Sequence, residues 1–246
     1  MSNSVWLVLP TYNEAENIEP IVAAIGEQLQ LAAQDSWRIL IVDDGSPDGT
    51  GQIADRLAEG DSRIEVLHRT VKEGLGRAYV AGFKRALEGG ADLVVQMDAD
   101  FSHDPRDVPR LIAAAADADL VIGSRYTAGG QVADWGLARR LLSRGGSQYS
   151  RLVLGIPVRD LTGGFKCLRR STLEALDLEH VRAQGYVFQI EVTYRAILAG
   201  LKVVEIPITF RDRRAGESKM SWTITGEAMW TVLKLRHQVN RSTSSS

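Results

Sequence analysis

The sequence predicts an α/β protein built around a doubly wound, mostly parallel sheet. Short apolar runs alternate with amphipathic helical patterns, and five strand–loop–helix units follow one another in the first half of the chain. Two of the apolar runs end in aspartates, Asp43 and Asp44 in one case and Asp98 and Asp100 in the other. Because parallel strands in such units are joined by right-handed crossovers, we expect their carboxyl ends to share one crevice.

The first half of the chain contains the predicted nucleotide-binding half of the sheet. Its apolar runs, each followed by a polar or glycine-rich turn, predict strands at 5–9, 38–42, 64–68, 93–97 and 120–123. Apolar positions at helical spacing predict helices at 18–29, after Thr50, at 78–87 and at 105–116.

The second half is less regular. Residues 127–135 are polar and glycine-rich and predict a mobile loop, and 160–165 show no regular pattern. Helical patterns return at 137–154 and 188–198, and 202–210 predicts a strand. We expect one domain over 1–238 and a disordered, serine-rich tail over 239–246.

Composition indicates an ordinary globular protein. Hydrophobic residues make up 44% of the 246 residues, charged residues 24%, and the formal net charge is -2, so no basic bias favours nucleic acid as a partner. The single cysteine, Cys167, excludes an internal disulfide and agrees with a reducing compartment. No signal peptide or transmembrane helix is expected, which predicts a cytoplasmic location.

The pair Asp98 and Asp100 predicts a divalent metal site. Two carboxylates at a strand end repel one another unless a cation or solvent intervenes, and Mg²⁺ is bound by one or two carboxylates together with substrate phosphates. The alternative is two solvated aspartates in a surface loop, because Asp-x-Asp alone is a weak signal.

The loops after the first two strands, 10–14 and 42–48, should share the crevice with this pair. Asp43 and Asp44 could accept hydrogen bonds from a base or ribose, or could only support a loop, whereas Asp48 is better explained as a helix cap. Neither G-x-G-x-x-G after the first strand nor G-x-x-x-x-G-K-[ST] is present, so a metal is expected to hold any phosphates.

A series of motifs resembles family 2 of the inverting glycosyltransferases, and within it the dolichol-phosphate (polyprenol-phosphate) mannosyltransferases. The resemblance runs from Val5 to about Leu235 and depends on the order and spacing of the motifs. In chain order they are Pro10-Thr11-Tyr12-Asn13-Glu14, Val42-Asp43-Asp44-Gly45-Ser46, Met97-Asp98-Ala99-Asp100, Gly123-Ser124-Arg125-Tyr126, Thr162-Gly163-Gly164-Phe165 and Gly216-Glu217-Ser218-Lys219.

The resemblance implies a GT-A fold with a Rossmann-like nucleotide-binding half, Mg²⁺ or Mn²⁺ as cofactor, and transfer of mannose from GDP-mannose to a polyprenyl monophosphate with inversion. UDP-glucose is the alternative donor. A catalytically silent sugar-nucleotide sensor and an aspartyl-phosphate hydrolase with Asp98 as nucleophile are competing functions.

The resemblance also assigns residues to the site by their position in the motifs. The residues expected at the nucleoside are Pro10, Tyr12, Glu14, Val42 and Asp44. The residues expected at the metal and the diphosphate are Asp98, Ala99, Asp100 and Ser102, where Ser102 replaces a glutamine ligand of some members. The residues expected at the donor or acceptor phosphates are Arg125, Arg213 and Lys219, and those expected at the sugar are Gln189 and Glu191. The charge of Arg139, on the arginine-rich helix 137–154, makes it a further candidate at the phosphates, with a solvated helix face as the alternative. Of these, Asp100, Arg125, Arg213 and Lys219 are the candidate catalytic residues.

A lipid acceptor requires contact with a membrane. The stretch 221–239 combines tryptophans and aliphatic residues with basic ones, which predicts either an amphipathic helix in the membrane interface or a helix that packs on the core. We expect weak, salt-sensitive peripheral association with the cytoplasmic face, either directly or through a membrane-embedded partner protein.

Overall fold

The computed structural model describes residues 3–181, 183, 185–212 and 230–237. Its centre is a seven-stranded sheet in the order β3-β2-β1-β4-β7-β5-β8, beside a two-stranded sheet of β6 and β9. The strands are β1 (Val5–Thr11), β2 (Trp37–Asp43), β3 (Ile64–His68), β4 (Leu93–Gln96), β5 (Leu120–Ser124), β6 (Gln131–Val132), β7 (Lys166–Arg169), β8 (Val203–Pro207) and β9 (Thr209–Phe210).

Helices cover both faces of the large sheet. They are α1 (Ile18–Ala33), α2 (Thr50–Gly60), α3 (Leu75–Glu88), α4 (Val108–Ala114), α5 (Leu137–Leu154), α6 (Arg170–Ala175) and α7 (Gly185–Leu198), with 3₁₀ turns at Pro105–Asp107 and Leu178–His180 and a helical segment at 230–237. None of the helices in the described ranges is long and apolar enough to cross a membrane.

The core has two layers because the central strands are apolar on both faces. All seven residues of β1 are buried. Its odd-numbered side chains pack in the layer formed with α1, α2 and α4, and its even-numbered ones, such as Val8, pack in the layer formed with α3 and α7. The amphipathic pattern that predicted α1 is the one that buries Ile18, Ile21, Ile25 and Leu29. A sheet buried on both faces is typical of parallel α/β architecture.

The predicted mostly parallel sheet is confirmed, with one strand missed. β7 runs antiparallel between β4 and β5 and pairs Val95 with Cys167 and Val121 with Cys167 on its two sides. The sequence does not indicate this strand, since it is short and begins and ends with the basic residues Lys166 and Arg169. Consequently β4 and β5 are not neighbours, although they follow one another in the series of parallel units.

The segment 127–135, predicted as a mobile loop, contains a short strand that the sequence did not indicate. Gln131 and Val132 form β6, which pairs in parallel with β9. The predicted strand at 202–210 is interrupted at Ile208, whose backbone amide donates to the carbonyl of Ser124 at 3.1 Å. This interruption turns the chain from the large sheet to the small one.

Candidate active site at the carboxyl ends of the strands

A cavity of about 460 Å³ opens where β1, β2 and β4 end. Its walls come from the loops after these strands, from the start of α3 and of α7, and from the loop before β7. The lining residues are Pro10, Thr11, Tyr12, Glu14, Asp44, Lys72, Gly74, Leu75, Ala78, Asp98, Ala99, Asp100, Thr162, Gly164, Gly185, Tyr186 and Gln189. Eight residues assigned to the site from the sequence lie on this wall: Pro10, Tyr12, Glu14, Asp44, Asp98, Ala99, Asp100 and Gln189.

One end of the cavity combines an aromatic ring with a carboxylate. The Lys72 Nζ lies 3.2 Å from the centroid of the Tyr12 ring, and Arg69 binds Asp44 at 2.5 Å. Burial raises the pKa of the Asp44 carboxyl, and the positive charge of Arg69 opposes that rise. The Tyr12 ring can stack on a nucleobase, and the Asp44 carboxylate can accept hydrogen bonds from the N–H groups of that base.

The two aspartates at the end of β2 have different roles. Asp43 accepts from the backbone amide of Ser46 at 3.3 Å and lies 3.6 Å from His68, so it supports its own loop, whereas Asp44 faces the cavity. Asp48 accepts from the amide of Thr50 at 3.0 Å, the first residue of α2, and from the amide of Ala15 at 3.1 Å. Gly49 occupies the N-cap position of α2, so Asp48 binds the first helical amide from one residue further out, and the same carboxylate joins the first two loops.

Asp98 and Asp100 stand together on the cavity wall beyond β4. The Asp98 Oδ1 accepts from the Tyr79 hydroxyl at 2.9 Å, and the Asp100 Oδ1 accepts from the backbone amide of Ser102 at 3.0 Å. His103 stacks on Phe165, and its Nδ1 accepts from the backbone amide of Asp98 at 3.3 Å. Burial lowers the pKa of His103, which keeps the imidazole neutral and able to accept. His103 therefore supports this loop.

The donor set fits a hard divalent cation. No cluster of three or more His, Cys, Asp or Glu side chains forms among the residues described. The protein therefore offers Asp98 and Asp100, with the buried Ser102 Oγ, which has no hydrogen-bond partner within the described structure. Two carboxylates and a hydroxyl are all oxygen donors, and Mg²⁺ and Mn²⁺ prefer such donors and take further ligands from phosphates and water.

Arg125 is not on the cavity wall, contrary to expectation. It is 5% exposed, and its Nε and Nη2 donate to Asp160 at 2.8 and 2.7 Å. Burial opposes ionisation of Asp160, but Arg125 outweighs it and lowers the pKa of that carboxyl. The same guanidinium donates to Thr162 Oγ1 at 2.7 Å, and Asp160 accepts from the amide of Gly163 at 3.1 Å. This ion pair holds the loop whose Thr162 and Gly164 line the cavity.

Several other assigned residues also lie off the wall. Arg139 pairs with Asp212 at 3.0 Å and stacks on Trp135, because α5 directs it toward the chain after β9. Glu191 pairs with Arg195 one helical turn along α7, at 2.8 Å. Val42 is buried inside β2, and Ser102 lies behind Asp100. Arg213 and Lys219 lie outside the described residues.

Sequence reasoning missed the part of the wall that comes from the loop after β3. Lys72 and the start of α3 line the cavity, although no role was assigned to them. The position of this loop could have indicated its role, because it follows the parallel strand β3 and therefore lies at the same edge of the sheet as the loops after β1 and β2.

Comparison with known proteins agrees with this fold. The family model described as "Glycosyl transferase family 2" matches residues 6–177. A curated protein of Micrococcus luteus named undecaprenyl-phosphate mannosyltransferase is 47% identical over 94% of this chain and 93% of its own length. A polyprenol monophosphomannose synthase of Mycolicibacterium smegmatis is 48% identical over 96% of this chain and 89% of its own length.

Solved structures of glucosyl-3-phosphoglycerate synthase from Mycobacterium tuberculosis share the fold. One, in complex with Mn²⁺, uridine-diphosphate-glucose and phosphoglyceric acid, has a TM-score of 0.70 at 20% sequence identity and covers 96% of this chain and 80% of that chain. Another, with Mg²⁺ and uridine-diphosphate, gives the same TM-score, identity and coverage. The GT-A architecture expected from the motifs is thus confirmed, and the chain belongs to family 2 of the glycosyltransferases.

Proposed function

We propose that this glycosyltransferase transfers mannose from GDP-mannose to a polyprenyl monophosphate, with inversion at the anomeric carbon. The observation that carries the proposal is one cavity that brings Asp98 and Asp100 together with the nucleoside loops of β1 and β2. The names of the two curated relatives support mannose as the sugar and a polyprenyl phosphate as the acceptor.

We assign the nucleoside of the donor to one end of the cavity and its diphosphate to the other. Tyr12 and Asp44, with Pro10 and Glu14, line the end of the cavity that would bind the guanine nucleoside. Asp98 and Asp100, with Ser102 behind them, would hold Mg²⁺ or Mn²⁺ against the diphosphate. The bound ion would stabilise the negative charge that develops on the leaving diphosphate.

The reaction requires little acid–base catalysis from the protein. An oxygen of the acceptor phosphate attacks the anomeric carbon, the bond from that carbon to the diphosphate breaks, and the electron pair leaves with GDP. A phosphate monoester is already anionic near neutral pH, so its oxygen needs no strong general base. The remaining difficulty is repulsion between two phosphate groups, and we assign Arg213 and Lys219 to reduce it by charge-assisted contacts.

The donor and the acceptor can be tested with purified protein. Radiolabelled GDP-mannose or UDP-glucose is incubated with polyprenyl phosphate in detergent, and the lipid fraction is counted. We expect label from GDP-mannose alone, lost with EDTA and restored by Mn²⁺, with a β-linked product from the α-linked donor. Label from UDP-glucose but not GDP-mannose, or turnover that resists EDTA, would refute the proposal.

We also propose peripheral contact with the cytoplasmic face of the membrane. On α5, Leu137 is 77% exposed and Leu141 is 71% exposed, and the same helix exposes Arg140 and Arg144. Exposed leucines one turn apart beside arginines suit an interface with anionic lipid headgroups.

Residues 230–237, the described part of the 221–239 stretch, both pack on the core and expose an aromatic side chain that could enter a membrane interface. Val232 and Leu235 are buried, while Trp230 is 60% exposed. The Arg236 Nη1 donates to the carbonyl of Val153 at 2.7 Å, so this helical segment contacts the end of α5. Trp230 would be a second exposed group for the lipid, separate from Leu137 and Leu141 at the start of α5.

Replacing both Leu137 and Leu141 with glutamate is expected to abolish most of the cosedimentation with anionic vesicles at low salt. The change removes apolar surface and adds charge that anionic lipids repel. Leu31→Glu is the matched control, because Leu31 on α1 is 76% exposed but belongs to the opposite face of the sheet. Equal vesicle binding by the double variant and the control would contradict a membrane role for α5.

A further inference from the structure

Tyr79 and Gln96 are polar residues buried behind the cavity, with no part in the reaction described above. Both side chains are 0% exposed. A buried polar group costs free energy unless its hydrogen bonds are satisfied, so two such residues at the centre of the fold require an explanation.

Tyr79 is held rigidly by aromatic packing. Its ring stacks on Phe188 with centroids 5.8 Å apart and planes 2° apart, and on Phe83 at the same centroid distance. The hydroxyl donates to the Asp98 Oδ1 at 2.9 Å. Because the buried ring packs on two other aromatic rings, this bond orients the Asp98 carboxylate.

Gln96 acts on a second residue of the cavity wall, Gln189. It is the last residue of β4, two residues before Asp98, and its Nε2 donates to the Gln189 Oε1 at 2.7 Å. The Gln189 amide oxygen is therefore occupied. Its Nε2 is buried and has no hydrogen-bond partner in the described part of the chain, yet Gln189 lines the cavity.

The unpaired Gln189 Nε2 and the Asp98 carboxylate both lie close to Gly164. A Cβ added to Gly164 would be 3.3 Å from the Asp98 Oδ2 and 3.5 Å from the Gln189 Nε2. Glycine at 164 thus leaves room for a ligand beside one hydrogen-bond donor and one acceptor. A sugar hydroxyl both donates and accepts and would satisfy the unpaired Nε2.

We propose that Tyr79 and Gln96 are positioning residues of the donor site. Tyr79 fixes Asp98 for the divalent cation, and Gln96 fixes the Gln189 amide with its nitrogen directed to the hexose of the sugar nucleotide. The second statement rests on the proposed function, because it requires a nucleotide-linked sugar in the cavity. Groups that orient a ligand for a metal or a substrate contribute through geometry and not through contact with the reacting atoms.

Two substitutions separate these roles from ordinary structural support. Tyr79→Phe removes one oxygen and keeps the ring, and Gln96→Met keeps the length of the side chain and removes the amide. Tyr194→Phe and Thr172→Val are the matched controls, because both residues are buried and neither lines the cavity. Urea unfolding of all four variants shows how much each is destabilised.

The measurements are equilibrium affinities. Mn²⁺ binding is followed by electron paramagnetic resonance with and without GDP, and GDP and GDP-mannose binding are followed by calorimetry in the presence of Mn²⁺. Tyr79→Phe is expected to weaken Mn²⁺ binding about tenfold. Gln96→Met is expected to lower the preference for GDP-mannose over GDP by about three- to tenfold, with GDP affinity unchanged.

A purely structural role would change these quantities differently. Mn²⁺ affinity at the wild-type level in Tyr79→Phe, or an equal loss of GDP and GDP-mannose binding in Gln96→Met, would overturn the proposal. If the proposed function were wrong, the wild-type protein would show no mannose transfer. The comparison of Mn²⁺ affinities would still decide the role of Tyr79.

Discussion

Asp98→Asn is expected to lower mannose transfer by about 100- to 1,000-fold, the range seen when one group that stabilises transition-state charge is removed. The asparagine retains an oxygen that can accept from Tyr79 but loses the negative charge offered to a divalent cation. The side chain is 32% exposed, so the fold should tolerate the change. Initial rates of lipid labelling at saturating Mn²⁺ measure the effect.

Asp104→Asn is the matched control for that experiment. Asp104 caps the 3₁₀ turn at Pro105–Asp107, where its carboxylate accepts from the amide of Arg106 at 3.0 Å. It does not line the cavity. Asparagine caps helices as well as aspartate does, so the control should retain wild-type turnover. If Asp98→Asn kept more than a tenth of the activity of this control, the metal role of Asp98 would be wrong.

Asp160→Asn is expected to cause the largest loss of stability, about 3–5 kcal/mol in the free energy of unfolding. The reason is that Arg125 is left as a buried charge without its partner. Activity should fall as well, because the pair holds Thr162 and Gly164 on the cavity wall. Urea unfolding at pH 7 measures the stability change.

The pH dependence of this effect has a defined sign. The pKa of Asp160 is lowered in the folded protein, so its contribution is fully present above the unfolded value of about 3.9 and is lost as the pH falls through the folded value. The difference in stability between wild type and Asp160→Asn should therefore be constant from pH 5 to 7 and shrink only at lower pH.

An exposed pair of the same chemistry provides the comparison. Arg106 binds Asp104 at 2.6 Å but is 76% exposed, and Arg106→Ala should leave the free energy of unfolding nearly unchanged. The double variant Arg125→Met with Asp160→Leu should regain part of the stability lost in Asp160→Asn, since it leaves no unpaired buried charge. Equal effects of Asp160→Asn and Arg106→Ala would contradict the buried pair.

The sheet and the position of the cavity could be predicted from the sequence, since both depend on local patterns. Apolar runs ending in Asp44 or Asp98 identify strands, and parallel strands bring their carboxyl ends to one edge. β7 escaped prediction because Lys166, an unusual residue for a core strand, is fully buried there. Its Nζ donates to the carbonyl of Gln189 and to Thr193, partners that only the folded chain brings within reach.

The directions of side chains were less predictable. Arg125 is in the expected loop but binds Asp160, which lies 35 residues further along the chain. Glu191 is on the expected helix but faces Arg195, four residues away, whereas Gln189 faces the cavity. Helical periodicity separates residues 189 and 191 by more than half a turn, so both could not face the same ligand.

The central claim is that Asp98 and Asp100 hold a divalent cation against the diphosphate of the sugar nucleotide. The most direct test is a crystal of the protein grown with GDP-mannose and Mn²⁺, with diffraction recorded at the manganese absorption edge. We predict one anomalous peak between the two carboxylates, with the nucleoside beside Tyr12 and Asp44. Nucleotide bound in this cavity without manganese at the carboxylates, or bound at another surface, would contradict the account.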